Sequence, residues 1–161
     1  MSQQNDQSGM SRKDEEMVNE LFQSDDGQIR GKIKLSDFLI LIVDDQLINR
    51  QILSRGLSDL GYKTAEAENG LVALAKMKRT KPDVVLMDID MPELNGLETT
   101  RRIRTVPEWQ DTKVLMVTAN DSVKKLKQAL SCRVDDYIVK PIKITDIDRR
   151  IRQHLNLNNA T

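Results

Sequence analysis

Six consecutive apolar residues, Phe38-Leu39-Ile40-Leu41-Ile42-Val43, constrain the fold of this chain more than any other feature. The run is far too short to span a bilayer, which takes about 20 residues. It also lacks the apolar-polar alternation of a strand with one wet face, so it reads as a parallel strand covered on both sides. Further runs follow at Val84-Val85-Leu86-Met87, Val114-Leu115-Met116-Val117 and Tyr137-Ile138-Val139, and the more polar Lys63 to Ala67 reads as an edge strand. Helical periodicity fills the intervals. Asn49 to Leu60 is predicted to turn Ile48, Ile52, Leu53, Leu57 and Leu60 inward and to stop at Gly61. Asn69-Gly70 opens a helix reaching about Arg79, and others are expected near Leu97 to Arg104 and over Val123 to Ser131. The last helix carries Ile144, Ile147, Ile151 and Leu155 at spacings of three and four. Strands alternating with helices in this way specify an α/β fold, a doubly wound five-stranded parallel sheet with right-handed crossovers.

The first 36 residues follow other rules. Met1 to Gly9 is a polar stretch with almost nothing to bury, which favours disorder. Ser11 is placed to cap a short helix whose first turn holds Asp14, Glu15 and Glu16. Met17, Val18, Leu21 and Phe22 would share one face of it, and Gln28 to Lys34 reads as a connector. Such a segment is either a solvated tail with a transient helix or a helix that docks on this domain, a second copy or another protein. The expected organisation is an N-terminal extension at 1–36, one domain at 37–157 and a tail at 158–161. Residues 1–36 hold five basic and seven acidic side chains, and the whole chain balances 25 against 25. Neutrality argues against a generic nucleic-acid or membrane-surface binder. One cysteine, Cys132, excludes an internal disulfide, and one histidine, His154, excludes a His-rich metal site. With no secretory signal pattern, the chain reads as soluble and cytoplasmic.

The polar residues at the strand ends carry the chemistry. Asp44 and Asp45 end the first strand, Asp88 the third, Thr118 the fourth and Lys140 the fifth. With strand order 2-1-3-4-5, strands 1 and 3 flank the topological switch point, where ligands bind. Three carboxylates crowded there need a cation, and oxygen donors with room for water suit Mg²⁺. A metal beside Asp88 would hold a phosphoryl group for attack by a carboxylate oxygen. Lys140 and the Thr118 hydroxyl would contact the remaining phosphoryl oxygens. Singly, each has a plainer use: Asp44-Asp45 can cap a helix, and Thr118 can simply end a strand.

These residues sit within Val43-Asp44-Asp45, Leu86-Met87-Asp88-Ile89-Asp90-Met91-Pro92, Asn95-Gly96-Leu97-Glu98, Val117-Thr118-Ala119 and Asp135-Asp136-Tyr137-Ile138-Val139-Lys140-Pro141. The chain from about Ser36 to Leu157 thereby resembles the receiver domain of two-component response regulators, with its flavodoxin-like sheet. The resemblance implies that Asp88 accepts phosphate from a phosphohistidine on a histidine kinase or histidine phosphotransfer protein. It implies that Asp44, Asp45, Asp88 and the Asp90 main-chain carbonyl hold Mg²⁺. Thr118 and Tyr137 match the switch pair, Lys140 the phosphate-binding lysine, and the Lys140-Pro141 bond is expected to be cis. On this reading the chain is a signalling domain rather than an enzyme, limited to its own phosphotransfer and autodephosphorylation.

Two departures from that family stand out. Arg133 occupies the place of a habitual glycine in Cys132-Arg133-Val134, which either alters the turn or marks a partner surface. Asp90 lies where the family varies and where a side chain tunes phosphoryl lifetime. The Asp88-Ile89-Asp90 spacing also matches haloacid-dehalogenase-like phosphatases, but there the motif usually follows the first strand. Past the last helix only Asn156 to Thr161 remain, so no DNA-binding or enzymatic output domain is expected in this chain. A stand-alone regulator and a receiver cut from a hybrid kinase or multidomain regulator both fit. Signalling would then run through protein binding or a homodimer, using the face of the fourth helix, fifth strand and fifth helix or the N-terminal helix.

Overall fold

The computed structural model describes residues 11–14, 31–119 and 122–157. After a 3₁₀ turn at Leu35–Asp37, the elements are β1 Leu39–Val43, α1 Leu47–Leu60, β2 Lys63–Ala67, α2 Gly70–Thr80 and β3 Val84–Met87. Then come α3 Gly96–Thr105, a 3₁₀ turn at Pro107–Trp109, β4 Lys113–Thr118, α4 Val123–Ser131, β5 Asp136–Val139 and α5 Ile144–His154. The five strands pair in parallel in the order β2-β1-β3-β4-β5, as the sequence predicts. Val43 lies opposite Met87 and Met87 opposite Met116, so the carboxyl ends of the three central strands line up.

Alternation along each central strand sends side chains to two cores. Leu41, Val43, Val85, Met87, Val114 and Met116 pack under α2, α3 and α4 through Ala73, Met77, Leu97, Ile103 and Ala129. Ile40, Ile42, Val84, Leu86, Leu115 and Val117 pack under α1 and α5 through Leu53, Leu57, Ile147 and Ile151. Each large side chain buried this way contributes about 1.5–3 kcal/mol before chain entropy is charged against it. Burial on both faces is why the strands read as continuous apolar runs.

The inward stripe of α1 is narrower than the periodicity predicts. Leu53 and Leu57 are buried, but Ile48, Ile52 and Leu60 are 70%, 59% and 41% exposed. Ile48 and Ile52 lie about 140° around the helix from Leu53 and Leu57 respectively. Gly56 continues their line, and a Cβ there would come within 2.6 Å of the Ile144 side chain. The line therefore meets α5 at its carboxyl end and water at its amino end. Leu60 is the last residue of the helix, where Gly61 at φ 116° turns the chain away.

In the amino-terminal part, Ser11 Oγ accepts the Asp14 N–H at 3.2 Å, the cap expected there, and residues 12–14 are helical. The apolar face expected at Met17, Val18, Leu21 and Phe22 lies outside the described residues. Among the described residues no helix is long and apolar enough to cross a membrane.

Candidate functional site

Asp44 and Asp88 each follow their strand by one residue, and one further step of the β1–β3 register brings them side by side. Carboxylate oxygens of Asp44, Asp45 and Asp88 all lie within 4.8 Å of one another. Asp44 is 3% exposed and Asp88 9%, whereas Asp45 faces solvent. The buried pair shares one cation: Lys140 Nζ lies 3.0 Å from Asp44 Oδ2 and 3.5 Å from Asp88 Oδ2. Asp44 Oδ1 accepts the Gln46 N–H at 2.9 Å, just before α1. Its helix-start role and its place in the cluster are therefore compatible.

Burial pushes the Asp88 carboxyl up to about 6. The Lys140 charge pulls it down, Asp44 pushes it further up, and an N–H bond from Asp90 pulls it down again. Burial works against the Lys140 ammonium, yet the bond to Asp44 and the charges of Asp88 and Asp44 hold it above its ordinary value. Two buried acids and one exposed acid against one ammonium leave an excess of negative charge facing an open side. Hard oxygen donors at this spacing suit a small divalent cation such as Mg²⁺.

Backbone approach shapes the floor. Asn95 Oδ1 caps α3 by accepting the Glu98 N–H at 2.9 Å, and the Gly96 N–H donates to the Ile89 carbonyl at 2.9 Å. A Cβ on Gly96 would stand 2.0 Å from the Asp88 carbonyl oxygen, so only glycine lets the β3–α3 loop close this tightly. Asp90 is exposed and contributes its main-chain N–H to Asp88; its own carboxylate is outside the cluster of close oxygens. Thr118 is fully buried at the end of β4, opposite Val139. Tyr137 is half-buried against the α2–α3–α4 core, and the Lys140-Pro141 peptide is cis.

One residue of the site escapes the sequence patterns. Arg50 Nη1 donates to the Asp44 carbonyl at 2.7 Å, and its Nε lies 3.5 Å from Glu66 Oε1 on β2. Its signal was electrostatic: a cation in the first turn of a helix opposes the helix dipole and needs a compensating partner. Arg133, at the glycine position, takes the left-handed backbone with φ 61°. Its Nη2 donates to the Arg104 carbonyl at 3.0 Å, an acceptor at the end of α3. Beside the cluster, Asn49, Ile52, Leu53, Lys140, Pro141, Ile142 and Ile144 line an apolar groove of about 320 Å³.

Residues 40–152 match the family model of the response regulator receiver domain, and the chain belongs to that family. It is 39% identical over 113 residues to the response regulator MprA of Mycobacterium leprae, covering 70% of this chain and 49% of that protein. The chain thus spans about half the length of the curated relatives it matches. The chemotaxis protein CheY4 of Vibrio cholerae superimposes with a TM-score of 0.69 at 29% identity, over 72% of this chain and 97% of that one. The receiver domain of a sensor histidine kinase from Pseudomonas aeruginosa superimposes with a TM-score of 0.69 at 28% identity, over 74% and 98%. That domain was solved with a magnesium ion coordinated in its active site cleft. Phosphorylation on aspartate and Mg²⁺ binding are typical of the family. Consistent with this assignment, Asp88-Ile89-Asp90 follows the third strand, after two βα units, and not the first as in the phosphatases.

Proposed function

We propose that this chain relays a signal by accepting a phosphoryl group on Asp88 from a phosphohistidine of a histidine kinase or histidine phosphotransfer protein. The observation that carries this reading is the clustering of the Asp44, Asp45 and Asp88 carboxylates around Lys140 at the ends of adjacent strands. An Asp88 carboxylate oxygen attacks phosphorus, the P–N bond breaks, and the imidazole leaves with its electron pair. Asp44, Asp45, Asp88 and the Asp90 main-chain carbonyl would hold Mg²⁺, which when bound neutralises charge on the phosphoryl oxygens. Lys140 exchanges part of its contact with Asp88 for the incoming phosphoryl oxygens, and the Thr118 hydroxyl donates to another. Thr118 and Tyr137 then move together, and phosphorylation selects the conformation in which both are drawn inward.

Docking of the donor is assigned to the exposed end of α1. Leu47, Ile48 and Ile52 are 55%, 70% and 59% exposed, and Ile52 continues into the apolar groove that ends at Lys140. Scattered apolar residues on a surface need no explanation, but a contiguous group beside a reactive carboxylate marks an interaction site. On this reading residues 37–157 carry the phosphotransfer and switch, with 1–36 as an extension and 158–161 as a tail. A second reading, a receiver within a longer regulator or hybrid kinase, is favoured by the half-length match to the relatives.

Labelling with acetyl phosphate and with a phosphorylated histidine phosphotransfer domain tests both parts. Asp88→Asn is expected to abolish labelling from either donor, and retained labelling would sink the assignment. The double substitution Ile48→Ser and Ile52→Ser is expected to slow transfer from the protein donor about tenfold or more, as loss of apolar contacts at an interface does. Labelling by acetyl phosphate should stay unchanged, and equal loss with both donors would remove α1 from the docking surface.

A further inference from the structure

We infer that Arg50, tethered by Glu66, is a positioning residue that sets the cation affinity of the acidic cluster by fixing the peptide between Asp44 and Asp45. Asp44 is held at every polar atom. Its N–H donates to the Ala67 carbonyl at 3.2 Å, its carbonyl accepts Arg50 Nη1 at 2.7 Å, and its two carboxylate oxygens take Gln46 and Lys140. The carbonyl that Arg50 grips belongs to the peptide joining Asp44 to Asp45, so the plane from which the Asp45 side chain departs is set by the guanidinium.

Three features suit Arg50 to this task. Its side chain is 11% exposed, which makes its bonds less open to exchange with water. The guanidinium is a rigid planar fork, so the Nε facing Glu66 Oε1 at 3.5 Å restrains the direction of Nη1. Glu66 also cancels the charge that would otherwise weaken cation binding nearby. Outer residues that orient metal ligands commonly change affinity 10- to 100-fold when removed, without touching the metal. A lysine keeps the charge but not the fork, so the two contributions separate by substitution.

Isothermal calorimetry of Mg²⁺ binding to the full chain and to its Arg50→Lys, Arg50→Met and Glu66→Gln variants provides the test, with thermal unfolding in chelator run alongside. Both Arg50 variants are expected to bind Mg²⁺ about tenfold more weakly, and Glu66→Gln a few-fold more weakly, with a loss of affinity that does not scale across the variants with the fall in the metal-free unfolding midpoint. Wild-type affinity in Arg50→Lys, or tighter binding in Arg50→Met, would show that only charge matters and overturn the positioning role. Weakening that merely tracks a fall in the metal-free midpoint would overturn it as well. The role rests on Asp44, Asp45 and Asp88 being the cation site. A wild-type chain that takes up no Mg²⁺ would defeat both, whereas normal wild-type binding with unaffected Arg50 variants would defeat the positioning role alone.

Discussion

Asp135 and Asp136, at the amino end of β5, are matched by cations, whereas the acids at the carboxyl ends of β1 and β3 are not. Asp135 Oδ2 accepts the Val114 N–H at 2.8 Å and pairs with Arg104 at 2.9 Å. Arg104, 8% exposed, also donates to the carbonyls of Arg133 at 3.0 Å and Thr112 at 2.9 Å. Asp136 faces Arg150 at 2.8 Å and His154 at 3.0 Å. Burial works against its charged form, yet the bonds from His154, the Tyr137 N–H and Arg150 hold it below the usual carboxylate range. At the other end, Asp44, Asp45 and Asp88 share Lys140, and Asp88 is driven up to about 6. Matched ions lock α3, β4, β5 and α5 together. Unmatched acids are costly to the folded chain, and that cost is what a bound cation would relieve.

Substitutions at the two ends should therefore act on different properties. The largest effect is expected for Asp88→Asn, which takes away the proposed phosphoacceptor and should abolish all labelling. Next is Arg104→Leu, which strips Asp135 of its cation and the Arg133 and Thr112 carbonyls of a donor. It is expected to lower unfolding free energy by about 2 kcal/mol, less than for a fully buried pair because the Asp135 side chain is 27% exposed. Urea denaturation measures it, and labelling per folded molecule should be preserved. A destabilisation below 1 kcal/mol in that experiment would mean that the amino-end match is decorative.

Asp88 should show the opposite sign. Its folded value lies above the ordinary 3.8, so the folded state binds the extra proton. Stability is then lost as pH rises from about 4 to about 6, and the charged carboxylate remains a burden above that range. In chelator, Asp88→Asn is expected to raise stability at pH 7 by about 1–2 kcal/mol after allowance for solvent screening. The gain should vanish below pH ~4, because both states are then protonated. A pH-independent difference would detach the effect from titration.

Smaller effects sharpen the contrast further. Asp90→Asn is expected to change autodephosphorylation about threefold or more in either direction, since an acid there can orient or repel the attacking water. Equal rates would remove Asp90 from phosphoryl lifetime. Arg133→Gly relieves a left-handed backbone that costs an arginine about 1–2 kcal/mol but gives up the bond to the Arg104 carbonyl. The net gain should stay below about 1 kcal/mol in urea denaturation.

Much of this molecule was legible in the chain itself. The uniform apolar runs revealed strands covered on both faces, and Asp44, Asp88, Thr118 and Lys140 stood out because polar residues at successive strand ends of a parallel sheet must converge. Periodicity failed on α1 because it counts apolar residues by angle alone. Ile48 and Ile52 share a helix line with Gly56, and whether that line is buried depends on where α5 crosses, at Ile144. Arg50 was hidden for a related reason: its acceptors are a main-chain carbonyl and a glutamate on the neighbouring strand.

Local pattern determined the element types and the polar residues that end each strand, because both follow from side-chain period. The order 2-1-3-4-5 that gathers those ends was only consistent with a polar second strand at an edge and was implied by the family resemblance. Tertiary structure alone decided how the charges are shared. Lys140 pairs more closely with Asp44 than with Asp88, Arg104 closes around Asp135, and Asp45 is left facing water. Ion pairing depends on distances of a few ångströms between residues up to 96 positions apart, and those distances exist only once the sheet has assembled.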